Sequence, residues 1–298
     1  MTLAPTNKFG IEIELIGLNR SQAANVVGQA IGGTVRYVGR SYDTYEVTTS
    51  VGTWSCVTDG SVRGSGSGTE VVSPPLYYKD MDKLQTVVRA LKDAGARVNR
   101  SCGIHVHVNA SRMTPKAVKS LSKMVYAKEE LMFKSFGTLG NRQRSYSRPM
   151  SSTFVTEING IRRPSRNSLK RRWYEARTDY EADRRSRSRY DNSRYYAFNL
   201  HALYYRGTVE FRYFNGSIHA GKIKAYVQFC LALRNKAMVV NSASSTRRVF
   251  NTTTAKYDMR TWLLSLGMVG EEFKTARHHL LKRLTGDSAY RSGRPQSA

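Results

Sequence analysis

In the stretch Phe9-Gly10-Ile11-Glu12-Ile13-Glu14-Leu15 every odd position is large and apolar, and the even positions run Gly, Glu, Glu. Strand side chains point to opposite faces in turn, so Phe9, Ile11, Ile13 and Leu15 share one face while Glu12 and Glu14 share the other. Two later segments repeat the pattern with different chemistry. In 103–109 (GIHVHVN), His105 and His107 alternate with Ile and Val; in 207–214 (GTVEFRYF), Glu210 and Arg212 alternate with Val, Phe and Tyr. A single pair of this kind is ordinarily a half-exposed strand with its polar residues in water. Three pairs, if their strands share a sheet, collect carboxylates, imidazoles and a guanidinium on one face.

The composition bounds what such a sheet could serve. The chain has 298 residues, 40% of them hydrophobic, which excludes a disordered chain and a disulfide-stapled miniprotein. Its 48 Lys+Arg against 22 Asp+Glu give a net charge of +26, which attracts polyanions. Cys56, Cys102 and Cys230 are odd in number and dispersed, as expected of free thiols in a reducing compartment. The first residues lack a secretory pattern, and no run approaches the roughly 18 apolar residues of a membrane span. The expectation is a soluble, cytoplasmic protein with no membrane partner.

Around the three strands the periodicity predicts a helix over 20–31, stopped by Gly32-Gly33, and a meander of short strands over 35–72 with a flexible loop at 63–68. Helices follow over 80–94 and from Thr114-Pro115 to about Lys134, an N-cap followed by a proline at the first helical position. Residues 137–194 read as an Arg-rich insert or loop region; 142–194 alone hold 15 Lys+Arg and 6 Asp+Glu. Residues 195–200 and 207–214 read as two strands of a hairpin. Helices are expected over 218–240, 258–266 and 270–284, with 1–285 as a single domain and 286–298 as a tail.

Clustered carboxylates repel one another and require a cation. Oxygen-rich ligation with a minor imidazole share suits Mg²⁺ or Mn²⁺ better than Zn²⁺. An Arg beside a ligand carboxylate can grip phosphate, so the set points to phosphoryl transfer from a nucleotide. No G-x-x-x-x-G-K-[ST] loop occurs, so the nucleotide would be held by metals instead.

Five motifs occur in order: Phe9-Gly10-Ile11-Glu12-Ile13-Glu14, Asp59-Gly60-Ser61, Gly68-Thr69-Glu70-Val71-Val72-Ser73-Pro74-Pro75-Leu76, Cys102-Gly103-Ile104-His105-Val106-His107 and Gly207-Thr208-Val209-Glu210-Phe211-Arg212. Together they resemble the amidoligases of the glutamine synthetase / glutamate–cysteine ligase superfamily, from about residue 9 to 235. The resemblance implies an α+β fold, a glutamine-synthetase-like curved antiparallel sheet (a half-barrel) with helices packed on its outer face. It implies ATP with two or three Mg²⁺ ions and a carboxylate–amine ligase working through an acyl phosphate. By analogy Glu12 shares one metal with His105 and Glu210, Glu14 shares a second with Glu70, and Arg212 contacts the transferring phosphoryl group.

Other residues read two ways. Asp59 orients the amine or acts as its base, or is a turn residue before Gly60. His107 touches the nucleotide or supports a ligand by hydrogen bonding; Asn199 belongs to the nucleotide site or is a hydrogen-bonded sheet residue. Cys102 reads as a buried small hydrophobe. The Arg-rich stretch is a solvated loop, a clamp for an acidic or peptide-like substrate, or a nonspecific nucleic-acid contact in which tyrosines stack on bases. Two rival functions follow: a basic nucleic-acid-binding protein on the same fold, and a metal-dependent phosphohydrolase or nuclease.

Overall fold

The computed structural model describes residues 3–39, 41–63 and 68–293. Most of the loop expected at 63–68, and the tail beyond 293, lie outside them. The chain divides into two compact units, Leu3–His107 with Phe214–Gln228, and Val108–Tyr213 with the chain from Phe229 onward.

The first unit contains strand β1 (Lys8–Leu15), helix α1 (Arg20–Ile31), strands β2 (Thr34–Gly39), β3 (Thr44–Thr49), β4 (Gly52–Asp59), β5 (Gly68–Val72) and β6 (Leu76–Tyr77), helix α2 (Met81–Asp93) and the first five residues of β7 (Gly103–Asn109). Its strands run in the order β2-β3-β4-β5-β1-β7, with β6 also on β1. The expected meander is antiparallel throughout, and β1 closes on β5 with Glu12 opposite Val72 and Glu14 opposite Glu70. Phe9, Ile11, Ile13 and Leu15 are fully buried, as the alternation requires.

Helix α1 starts at a capping box in which Asn19 Oδ1 accepts from Gln22 N and Gln22 Oε1 accepts from Asn19 N, both at 2.9 Å. It lies against β3, β4 and α2. Gly28 permits close approach to β2 and β3: a Cβ there would meet the Gly33 carbonyl at 3.0 Å, Val35 Cγ2 at 3.1 Å and Val47 Cγ1 at 3.5 Å. Helix α2 buries Leu84, Val87, Val88 and Leu91, the stripe its helical period predicts.

The second unit begins within β7 and continues through α3 (Pro115–Phe136), α4 (Gly140–Arg144), α5 (Ser152–Gly160), α6 (Arg166–Trp173), α7 (Asp179–Arg187), β8 (Phe198–Asn199), α8 (His201–Arg206) and β9 (Thr208–Asn215) as far as Tyr213. Helix α9 (Ala220–Val239) enters it at Phe229, followed by α10 (Ala255–Ser265) and α11 (Lys274–Leu281). Two expectations are corrected here. The strands expected at 195–200 and 207–214 pair antiparallel, but β8 is only two residues long and helix α8 joins it to β9.

The Arg-rich stretch is likewise no loop. It folds as short helices whose N-terminal amides are capped by Ser151, Ser165 and Thr178 hydroxyls. Each helix buries only two or three side chains, among them Phe154, Trp173 and Ala182. Trp173 packs edge-on against Phe154 and Tyr196, with ring centroids 5.3 and 5.2 Å away. The acids of the segment tie its helices together through Lys170–Asp183, Arg171–Asp179 (3.8 Å), Arg172–Glu157 (3.6 Å) and Arg185–Asp191 (2.8 Å).

A buried carboxylate organises the other side of this unit. Glu129 on α3 accepts from Met150 N (3.0 Å), Tyr213 Oη (2.9 Å) and Arg247 Nη2 (2.8 Å), joining three distant segments. Burial still raises its pKa above the usual carboxylate value despite those donors. The three cysteines are buried and unbridged, and burial pushes the Cys56 thiol up to about 12. Among the described residues no helix is long and apolar enough to cross a membrane.

Candidate functional site

The first unit brings together six of the residues singled out in the sequence. Glu12 Oε2 lies 2.8 Å from His105 Nδ1, Glu12 Oε1 3.3 Å from His107 Nε2, and Glu14 Oε1 3.4 Å from His105 Nε2. Burial would raise the Glu12 carboxyl, but the His107 charge and hydrogen bonds from both imidazoles outweigh it and hold the group well below the usual carboxylate range. Glu12 is therefore an anion at neutral pH, the form that binds a cation. The Gly103 amide donates to Glu14 Oε2 at 2.6 Å, fixing that side chain from the start of β7.

The register places Glu14 and Glu70 directly opposite one another on neighbouring strands. Like charges so placed destabilise a sheet unless something neutralises them. Asp59, at the end of β4, joins them: Glu14, Asp59 and Glu70 each offer an oxygen within 4.8 Å of the others, and Glu12, Glu70 and His105 form a second such group. Asp59 Oδ1 accepts from Ser61 N at 2.7 Å in the turn that Asp-Gly announces, and the residue also stands in the carboxylate cluster. One imidazole among four carboxylates is a hard, oxygen-rich donor set, and it fits Mg²⁺ or Mn²⁺.

The backbone beneath this cluster is closely packed. The Gly216 amide donates to the Cys102 carbonyl at 2.7 Å, and a Cβ on Gly216 would stand 2.6 Å from Cys102 Cβ. Only glycine lets the two segments meet there, one residue before the Gly103 amide that holds Glu14. Cys102 is fully buried, as its reading as a small hydrophobe expects.

The second unit gathers Asn199, Glu210 and Arg212. Asn199 and Glu210 are register partners on β8 and β9, and Asn199 Nδ2 donates to Glu210 Oε2 at 2.6 Å. Asn199 Oδ1 accepts from His201 N (2.7 Å) and Ala202 N (3.3 Å), the first amides of α8. The helix thus fixes which end of the amide faces the carboxylate. Arg212 Nη1 donates to Glu210 Oε1 at 2.5 Å, and its Nε donates to the Tyr146 carbonyl at 3.1 Å. All three side chains are buried.

Two contributors carry no signal in the sequence. Tyr146 acts through a backbone carbonyl, which no residue type announces. His201 has no ligand spacing, yet it is buried and shares a 2.6 Å hydrogen bond with Tyr174 Oη, linking α8 to the end of α6. That burial lowers its pKa and keeps the ring neutral.

Among solved structures the chain is similar to a bifunctional glutathione synthetase from Pasteurella multocida, at 14% identity and a TM-score of 0.41. The match covers 94% of this chain and 47% of that one, so the chain spans about half that protein's length. No curated protein matches it. A family model described as "Putative amidoligase enzyme" matches residues 5–234, a span that takes in every motif above from Phe9 to Arg212, and the chain belongs to that amidoligase family.

Proposed function

We propose that the chain is an ATP- and Mg²⁺-dependent carboxylate–amine ligase, built on a glutamine-synthetase-like half-barrel sheet and forming an amide through an acyl phosphate. The observation that carries this reading is the group Glu12, Glu14, Asp59, Glu70 and His105, where Glu14 and Glu70 oppose one another across the sheet in a donor set suited to Mg²⁺. Family membership supplies the reaction class.

In this reading Glu12, Glu14, Glu70, His105 and Glu210 hold metal, and His107, Asn199 and Arg212 serve the nucleotide. Bound divalent ions would offset charge on the nucleotide phosphates and on the attacking carboxylate. The remaining work falls to the chain's own groups. Arg212, held in two directions by Glu210 and Tyr146, presents a fixed guanidinium to the phosphoryl oxygens. Asn199 keeps Glu210 in place while capping α8. Asp59 orients the amine and takes its proton at Oδ2, since the Ser61 amide occupies Oδ1.

Calorimetric titration of ATP, with and without Mg²⁺, tests this on wild type and Glu12→Gln. The reading requires Mg²⁺-dependent binding that the variant loses. Binding that ignores Mg²⁺, or survives unchanged in Glu12→Gln, would sink it.

A further inference from the structure

The outer face of α7 carries a pattern that ligase chemistry leaves unused. Ala182 and Ser186 turn inward, whereas Tyr180, Arg184 and Arg187 recur at spacings of four and three along the exposed side, with Arg177 one turn earlier. Four of the five acids between residues 175 and 191 are committed elsewhere: Asp183 to Lys170, Asp179 to Arg171, Asp191 to Arg185, and Glu181 to the Arg177 amide at 3.0 Å. The basic surplus of the segment is thereby left facing outward. Tyr180 is 79% exposed among these arginines. Tyr190, just past the helix, is 64% exposed with the Arg189 and Arg194 guanidiniums 5.6 and 5.7 Å from its ring centroid.

We propose that this face of α7, continued by Tyr190, is a docking surface for single-stranded nucleic acid, bound through its phosphates and by base stacking without readout of sequence. Guanidiniums supply phosphate contacts, and exposed rings between them supply a platform any base can stack on. An acidic polypeptide would match the charge but offer the tyrosines no flat partner. From Tyr180 to Arg187 the helix rises about 10 Å, the span of roughly three stacked nucleotides. The chain's net charge of +26 adds long-range attraction. The inference stands independently of the ligase reading.

The test is fluorescence anisotropy with a labelled oligothymidylate, between about 50 and 200 mM salt. Arg184→Ala/Arg187→Ala should flatten the slope of log K against log salt by about 1.4, at roughly 0.7 per lost phosphate contact on a single strand. Tyr180→Ala should weaken binding about 5- to 150-fold with the slope unchanged, because stacking releases no counterions. Removing two exposed basic residues from the other unit, in Arg36→Ala/Lys92→Ala, should leave the slope nearly intact. If that control flattens the slope as much, the binding is diffuse attraction to a basic chain and the proposed surface is wrong. Wild-type affinity in Tyr180→Ala, or displacement of the oligonucleotide by polyglutamate at equal charge, would also overturn it.

Discussion

Replacing Asn199 separates two tasks performed by one buried side chain. Its amide nitrogen holds Glu210 at 2.6 Å, and its oxygen caps α8 through the His201 and Ala202 amides. Loss of a cap costs about 0.5–2 kcal/mol, and loss of a hydrogen bond to a buried charge about 1.5–3 kcal/mol. Asn199→Ala removes both, for an expected loss of about 2–5 kcal/mol. Asn199→Ser keeps an oxygen able to cap but cannot reach Glu210, for about 1.5–3 kcal/mol. Urea unfolding followed by tryptophan fluorescence resolves the difference, since Trp173 and Trp262 lie in the same unit as Asn199. With a slope near 3 kcal/mol/M, a loss of about 3 kcal/mol lowers the midpoint by about 1 M. Equal midpoints for the two variants would refute the capping role. Midpoints within about 0.2 M of wild type for both would refute the network as a whole.

Two acids in the second unit should respond to pH with opposite signs. Burial raises Glu129 above its unfolded value, so the folded state binds its proton more readily and the contribution is lost as pH rises through the folded pKa. Relative to Glu129→Gln, wild type should lose stability as pH increases from about 4.5, and a gain would contradict the assignment. For Asp191, burial is outweighed by the Arg185 and Ser193 hydrogen bonds, so its pKa is lowered. Its contribution is present above 3.8 and lost as pH falls through the folded value, so the deficit of Asp191→Asn should shrink in acid. Gly216→Ala should cost about 1–3 kcal/mol by overpacking against Cys102, whereas Gly207→Ala meets open space and bears only a left-handed backbone penalty of about 1–2 kcal/mol. A Gly216→Ala midpoint equal to that of wild type would mean the Cys102 contact relaxes freely.

How much of the fold is legible in the sequence depends on how each element announces itself. Strands β1, β7 and β9 alternate so cleanly that period alone assigns their polar residues to one face, and Glu12, His105 and Glu210 lie on those alternations. The helices α1, α2 and α3 carry both an apolar period and a terminal signal, such as Thr114-Pro115 or Gly32. Helices α5 to α7 carry Ser or Thr caps but only a short apolar period. Each buries only two or three residues, arginine swamps the period of α6 and α7, and the ion pairs between helices are contacts that sequence spacing does not reveal. The same limit applies to Arg212, whose residue type invites a phosphate but whose orientation depends on the Tyr146 carbonyl, 66 residues away in sequence. Asp59 shows a milder form: Asp-Gly reads as a turn, and it is one, yet strand pairing also carries it to Glu14 and Glu70.

The Glu14–Glu70 pairing allows the metal reading to be tested without any substrate. Two carboxylates directly opposite on antiparallel strands repel, at a cost of about 0.2–1 kcal/mol when no cation intervenes. Glu70→Gln removes that repulsion, so in chelator the variant should be as stable as wild type or slightly more so. Mg²⁺ reverses the order. An ion bound only by the folded state adds about 2.7 kcal/mol at one hundred times its dissociation constant, and the variant, short of one ligand oxygen charge, should gain much less. The two melting curves should therefore cross as Mg²⁺ is added, with Ca²⁺ shifting wild type less if the site favours the smaller ion. A purely structural Glu70 gives a different pattern: loss of stability in chelator and an unchanged Mg²⁺ response. The change in rank order is the decisive readout, because neither a general loss of packing nor nonspecific ionic strength reverses the sign of one substitution.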